Sequence, residues 1–167
     1  YDQFVTFKAG FSNEKSRETY LGLTDQDFEN GPYYRYAASQ NDLMDWEHYQ
    51  FQLSHFIEFN DETTLYTQVY HREFDRDWDR FSGFASSRTM QTILTTPERG
   101  LNSAFMQVLD GSRDSLSASE SLVFSNNDRR YVSQGFESKL SHQQTFWYMD
   151  ISLDAGIRVH RDEVKRN

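Results

Sequence analysis

Three groups of residues have types and spacings that suggest chemistry. Asp75, Asp77 and Asp79 form an Asp-x-Asp-x-Asp run like the opening of a calcium loop. An EF-hand loop needs Gly at its sixth position and a bidentate Glu at its twelfth. Here those positions hold Arg80 and Ser86, and the interleaved Arg72, Arg76 and Arg80 read instead as a charge-paired strand end. His48, His55, His71, His142 and His160 show no H-x-x-x-H spacing, so no metal site is expected. Asp150, Asp154 and Arg158 recur at four-residue intervals, which would suit acid/base work in a cleft. Pairing with neighbouring strands is the simpler reading. There is no G-x-S-x-G and no phosphate loop, so neither an enzyme nor a cofactor is expected. With no cysteine, disulfides, thiol catalysis and Cys-based zinc are excluded.

The element that places Asp150, Asp154 and Arg158 is Trp147–Val159. Trp147, Met149, Ile151, Leu153, Ala155, Ile157 and Val159 are apolar; the residues between them are mostly polar or charged. This is the period-two pattern of a two-faced β-strand. It runs about twice the usual five or six residues. A strand spanning an outer membrane needs about nine to eleven residues, apolar toward lipid and polar toward the lumen.

Composition allows this. At 37% hydrophobic residues and a mean hydropathy of -0.83, the chain has no stretch suited to a transmembrane helix, but barrels dilute apolar faces with polar loops. Aromatics at 16% suit strands and interfacial girdles. A net charge of -9 argues against a nucleic-acid partner, which would need clustered Lys and Arg.

Along the chain, Val5, Phe7, Ala9 and Phe11 alternate with polar residues in a first strand. A loop from Asn13 to about Asp42 follows, with Thr24 able to cap one helical turn. The second strand spans about Leu43–Phe59, with Tyr49, Phe51, Leu53, Ile57 and Phe59 on one face. Asn60–Glu62 is a tight turn. The third strand, about Thr64–Arg80, has faces that the pattern leaves unassigned. A second long connection runs to Asn127. Within it Pro97–Leu109 carries Leu101, Phe105, Val108 and Leu109 at helical spacing, with Gly111 as the stop. A fourth strand, about Arg129–Ser141, sets Val132, Phe136 and Leu140 against Ser133, Glu137 and Lys139, and turns at Ser141–Gln144 into the opening strand.

The expected fold is all-β: an antiparallel up-and-down meander of about five long strands, with one short helix in a loop. Long and short connections alternate, as in outer-membrane barrels. The two short turns would be periplasmic, with Phe59, Phe146, Trp147 and Tyr148 at the inner interface. Five strands do not close a barrel, which usually takes at least about eight. Residues 1–167 are therefore expected to be part of a larger one, with its signal peptide upstream. Val5, Phe7, Phe11, Phe51, Leu53, Phe136, Met149, Ile151, Leu153 and Ile157 would face lipid.

The residues themselves add a resemblance. Glu18–Thr24 followed by Asp27-Phe28, Arg35-Tyr36 and Ala38-Ser39 resembles a loop of TonB-dependent outer-membrane receptors of the ferric dicitrate group. Asp75–Trp78 looks like their Arg- and Trp-bearing strand-to-loop segment. Asn127–Gly135 resembles their Asn-Arg-x-Tyr-x-Ser-x-Gly strand start, with an extra residue near Asp128. Gly156–Asp162 resembles their Gly-Leu-Arg-Tyr-His-x-Asp strand end. The resemblance implies a barrel of about 22 strands with a plugged lumen, in the outer membrane of a Gram-negative bacterium. It implies uptake of a ferric chelate, ferric citrate or another siderophore, driven by the TonB complex through a plug domain that is not in this sequence.

Such ligands are anionic or acceptor-rich, and a site for them would use the donor fork of Arg together with aromatics. The candidates on the outer side are Arg35, Tyr36, Arg76, Trp78, Arg80 and Arg130, with Arg129, Tyr33 and Tyr34 beside them. The competing expectation pairs these arginines with loop carboxylates. The alternative function is a soluble aromatic-rich β-domain that binds carbohydrate or protein. It requires the apolar face of Trp147–Val159 to be covered by a second sheet from the same chain.

Overall fold

In the computed structural model, which describes residues 2–166, the chain is an open antiparallel meander. Its strands are β1 (Asp2–Ser16), β2 (Leu43–Asn60), β3 (Thr63–Phe84), β4 (Leu122–Asn126), β5 (Arg129–Phe146) and β6 (Met149–Arg166). Hydrogen bonding follows the order β1-β2-β3-β5-β6, and the short β4 continues the pairing along the far end of β3. Between the five long strands the connections alternate long and short: 17–42, 61–62, 85–128 with the short β4 inside it, and 147–148. The long ones hold α1 (Asp25–Asn30), α2 (Met90–Thr95) and α3 (Asn102–Asp110).

The chain divides into two compact units. Tyr1–Asn13, Trp46–Asp75 and Arg129–Asn167 form the first, which is almost wholly sheet. Its faces follow from contacts between strands. Phe11 meets Tyr49 at 4.9 Å between ring centroids, so the odd positions of β1 and β2 share a face. Trp46 and Phe74, 5.5 Å apart, put the even positions of β2 and β3 together on the other. Thr67 and Ser138 share a hydrogen bond at 2.9 Å, and β5 pairs with β6 without a break from Arg129↔Arg166 to Phe146↔Met149. The third strand is thereby assigned. Leu65, Thr67 and Val69 lie with the apolar positions, and Tyr66, Gln68 and Tyr70 with the polar ones.

One apolar face thus runs across five strands, through Val5, Phe7, Phe11, Phe51, Leu53, Phe136 and Met149–Val159, and it is exposed. The residues that a facing sheet would bury are open: Phe136 at 38%, Phe51 at 47%, Ile151 at 50% and Leu153 at 60%. Among the described residues, every buried hydrophobic side chain belongs to the second unit.

That second unit, Glu14–Asp45 and Arg76–Asp128, has its own core of Ala38, Phe81, Phe84, Ile93, Phe105, Val108 and Leu109. Thr24 caps α1, its Oγ1 accepting from the Asp27 amide at 3.1 Å. The α3 helix ends at Gly111, whose φ of 83° is left-handed and whose missing Cβ leaves room for the Ala37 methyl. Asn102 ties two helices together: its amide donates to the Thr92 and Thr96 carbonyls at 3.1 and 2.9 Å.

The structure corrects several boundaries. The turn between β5 and β6 is Trp147–Tyr148, not Ser141–Gln144. Ser141, Gln143 and Thr145 are strand residues opposite Asp154, Ser152 and Asp150, so their polarity reflects a polar face rather than a loop. Trp147 accordingly leaves the opening strand, with φ 58°, and is 83% exposed. Among the described residues five strands are long, as expected, and the short β4 is a sixth; of the three α-helices, α3 answers to the expected helix, α1 to the turn that Thr24 caps, and α2 is additional. The expected helix starts at Asn102 rather than Pro97, and Leu101 is 68% exposed instead of lying on its buried face.

Candidate functional site

The best-formed group of candidate residues is built on the end of β3. Strand alternation places Arg76, Trp78 and Arg80 on one face and Asp75, Asp77 and Asp79 on the other. Trp78 is 5% exposed, and its Nε1 donates to the Glu18 carbonyl at 3.3 Å. Its own carbonyl accepts from the Asn127 amide at 2.9 Å. The Tyr20 ring sits 4.6 Å from it. The Arg80 guanidinium lies 4.2 Å from the Tyr20 centroid and 4.8 Å from that of Trp78, and Arg76 lies 5.8 Å from Trp78. The result is a pile of alternating cations and rings. Cation–π contacts of this kind hold a guanidinium in place while leaving its N–H edge free for a ligand.

No described carboxylate forms a salt bridge with Arg76 or Arg80, and the Nε of each is buried without a hydrogen-bond partner. Arg35 is similar: it donates to the Arg17 carbonyl, and its other terminal nitrogen is buried and unpartnered. In a chain of net charge -9 these are uncompensated cations, which suits capture of an anion.

Other candidates are engaged elsewhere. Tyr36 is buried; its hydroxyl accepts from the Thr24 amide at 3.1 Å and donates to Asp27. Burial first, and then the Asp27 carboxylate, push its phenol pKa up, so Tyr36 is a structural anchor. Arg130 pairs with Glu73 and lies 3.8 Å from Asp75, both at odd positions of β3, opposite in alternation to Arg76 and Arg80. Arg129 reaches the Tyr131 hydroxyl at 3.5 Å. Tyr33 is almost fully exposed, and Tyr34 packs edge-on against Tyr36 at 5.5 Å.

The aspartate run is not arranged as a cation site: the Asn126 amide donates to Asp77 and Asp79 at 2.6 and 2.8 Å. Among the described residues no cluster of three metal-ligating side chains occurs. Asp154 pairs with Lys139 at 3.2 Å and accepts from Ser141 at 2.7 Å, while Asp150 accepts from Thr145 at 2.8 Å. These are cross-strand pairs of a sheet. Tyr20 was the residue missed by sequence reasoning; it falls in an irregular stretch where no periodicity reports on a side chain's partner.

Comparison with known protein families, curated proteins and solved structures finds no match.

Proposed function

We propose that the chain forms part of the wall and outer loops of an outer-membrane active-transport receptor for a ferric chelate. The observation that carries this reading is the apolar face crossing five strands, exposed and with no second layer over it among the described residues. Soluble monomers rarely expose contiguous apolar patches beyond a few hundred Å². From Met149 to Val159 the face spans about 33 Å at about 3.3 Å per residue. Tilted by about 45°, that becomes a band near the roughly 25 Å expected of a barrel. At its end the same face turns charged, at Arg161, Glu163 and Lys165. The free edges of β1 and β6 call for further strands. The ferric chelate comes from the receptor resemblance and from the uncompensated Arg35, Arg76 and Arg80. Transport would be driven by the TonB complex through the plug.

The test is fractionation of cells expressing the full-length protein with its own export signal. An outer-membrane, heat-modifiable band is the expected result. A protein that stays in the soluble fraction overturns the reading and favours the β-binding module.

A further inference from the structure

An apolar stripe crosses the polar face of the first unit. Trp46 of β2, Phe74 of β3 and Tyr131 of β5 stand in a row, with successive ring centroids 5.5 and 6.0 Å apart. His48 lies 6.3 Å from Phe74, and Val164 of β6 is the register partner of Tyr131. Phe74, Tyr131, Val164, His48 and Arg72 border a cavity of about 330 Å³. That is the lower end of the range for small-molecule pockets, about 300–1,000 Å³, and suits a single substituted ring.

The carboxylates at its rim are already partnered. Asp162 lies 2.7 Å from His160 Nε2, Glu73 is paired with Arg130, and Glu163 pairs with Arg161 and Lys165 at 3.1 and 3.2 Å. Arg72 forms no salt bridge with a described carboxylate; its guanidinium rests 5.6 Å over the Tyr70 ring. An aromatic slot beside one uncompensated cation selects a ring that carries an acidic oxygen: faces stack on faces, and the oxygen accepts from the guanidinium.

We infer that this slot binds an aromatic ring bearing a carboxylate or phenolate, such as an aryl arm of an incoming chelate. The slot is a second binding element, separate from the Arg76–Trp78–Arg80 pile. The inference rests on the proposed function only for the origin of the ring in a chelate.

The experiment is calorimetric titration of the full-length protein, isolated from whichever fraction holds it, with 2-hydroxybenzoate and with cyclohexanecarboxylate. The aromatic acid is expected to bind about tenfold more tightly than the saturated one. Phe74→Leu and Arg72→Gln are each expected to weaken 2-hydroxybenzoate about tenfold, with Arg99→Gln, at an exposed position of the 85–121 connection, unchanged. Equal affinity for the two acids overturns the inference, as does wild-type binding by both Phe74→Leu and Arg72→Gln. The ligand pair decides the matter on the unaltered protein if a variant does not fold. Failure of the receptor reading shows separately, as protein in the soluble fraction.

Discussion

Tyr70 lies across the bare backbone of Gly135. A Cβ on Gly135 would stand 2.6 Å from the Tyr70 hydroxyl and 2.8 Å from the Val159 carbonyl. The absent side chain lets a ring on β3 reach over β5 and bond to His160 on β6. Gly135→Ala is therefore expected to destabilise by about 1–3 kcal/mol, the usual cost of overpacking. Urea unfolding of the purified protein measures it. Adding Tyr70→Ala should recover only part of the loss, because the Val159 carbonyl is backbone and stays in place.

The exposed apolar face sets a second expectation. Leu153→Arg lies near the middle of the Met149–Val159 band and should cost about 2–4 kcal/mol in a bilayer. Lys165→Glu, on the same alternation but beyond the apolar stretch, should cost much less. Unfolding in lipid vesicles compares the two. Equal costs would show that the band does not lie in hydrocarbon.

For chelate capture, Arg76→Ala and Arg80→Ala should each weaken ferric citrate binding by about 1.5–3 kcal/mol, the value of a charge-assisted hydrogen bond. Arg130→Ala should leave binding unchanged, because Arg130 pairs with Glu73 on the opposite alternation of β3. Equilibrium binding to the full-length protein measures all three. A loss confined to Arg130→Ala would reverse the assignment.

Tyr36→Phe removes the group that satisfies the Thr24 amide and leaves the Asp27 carboxylate one donor short. A loss of about 1–3 kcal/mol is expected. The fluorescence-monitored unfolding midpoint checks it, with Tyr33→Phe, at an open site, as the silent control.

Acid should loosen the 112–121 segment. The Leu116 amide, 2.8 Å away, and then Arg113 hold the Glu120 carboxyl below the usual glutamate range. A group whose folded pKa is depressed contributes stability above its unfolded pKa and loses it as pH falls through the folded value. Hydrogen exchange at Leu116, corrected for intrinsic rates, should therefore accelerate only as pH drops below the ordinary glutamate range. Glu120→Gln should abolish that step.

Much of this architecture was legible in the chain because period two is a strong signal when strands are long. The bounds of β2 and the apolar face of β6 fall where alternation places them. Thr24 and Gly111 act at the helix ends for reasons local to their own chemistry. The Ser141–Gln144 segment misled because a run of polar residues is ambiguous between a turn and the polar face of a strand; only the register with β6 resolves it. The α2 helix is too short to display periodicity, and it buries Ile93 alone. Of the site, the residue types were readable but the faces were not: Arg76, Arg80 and Arg130 look alike until β3 alternation separates them.

The uninterrupted β5–β6 ladder has a consequence for how this gene can vary. Because every pair from Arg129↔Arg166 to Phe146↔Met149 is in step, one residue added inside β6 has no neighbouring irregularity to absorb it. If the ladder slipped by one, Asp150, Asp154 and Arg158 would exchange places with Met149, Leu153 and Ile157. Codon insertions inside β6 should therefore be purged singly and tolerated better in twos, while the 85–121 connection accepts those that spare its core. Parity of length, more than residue identity, is what selection would police at that hairpin.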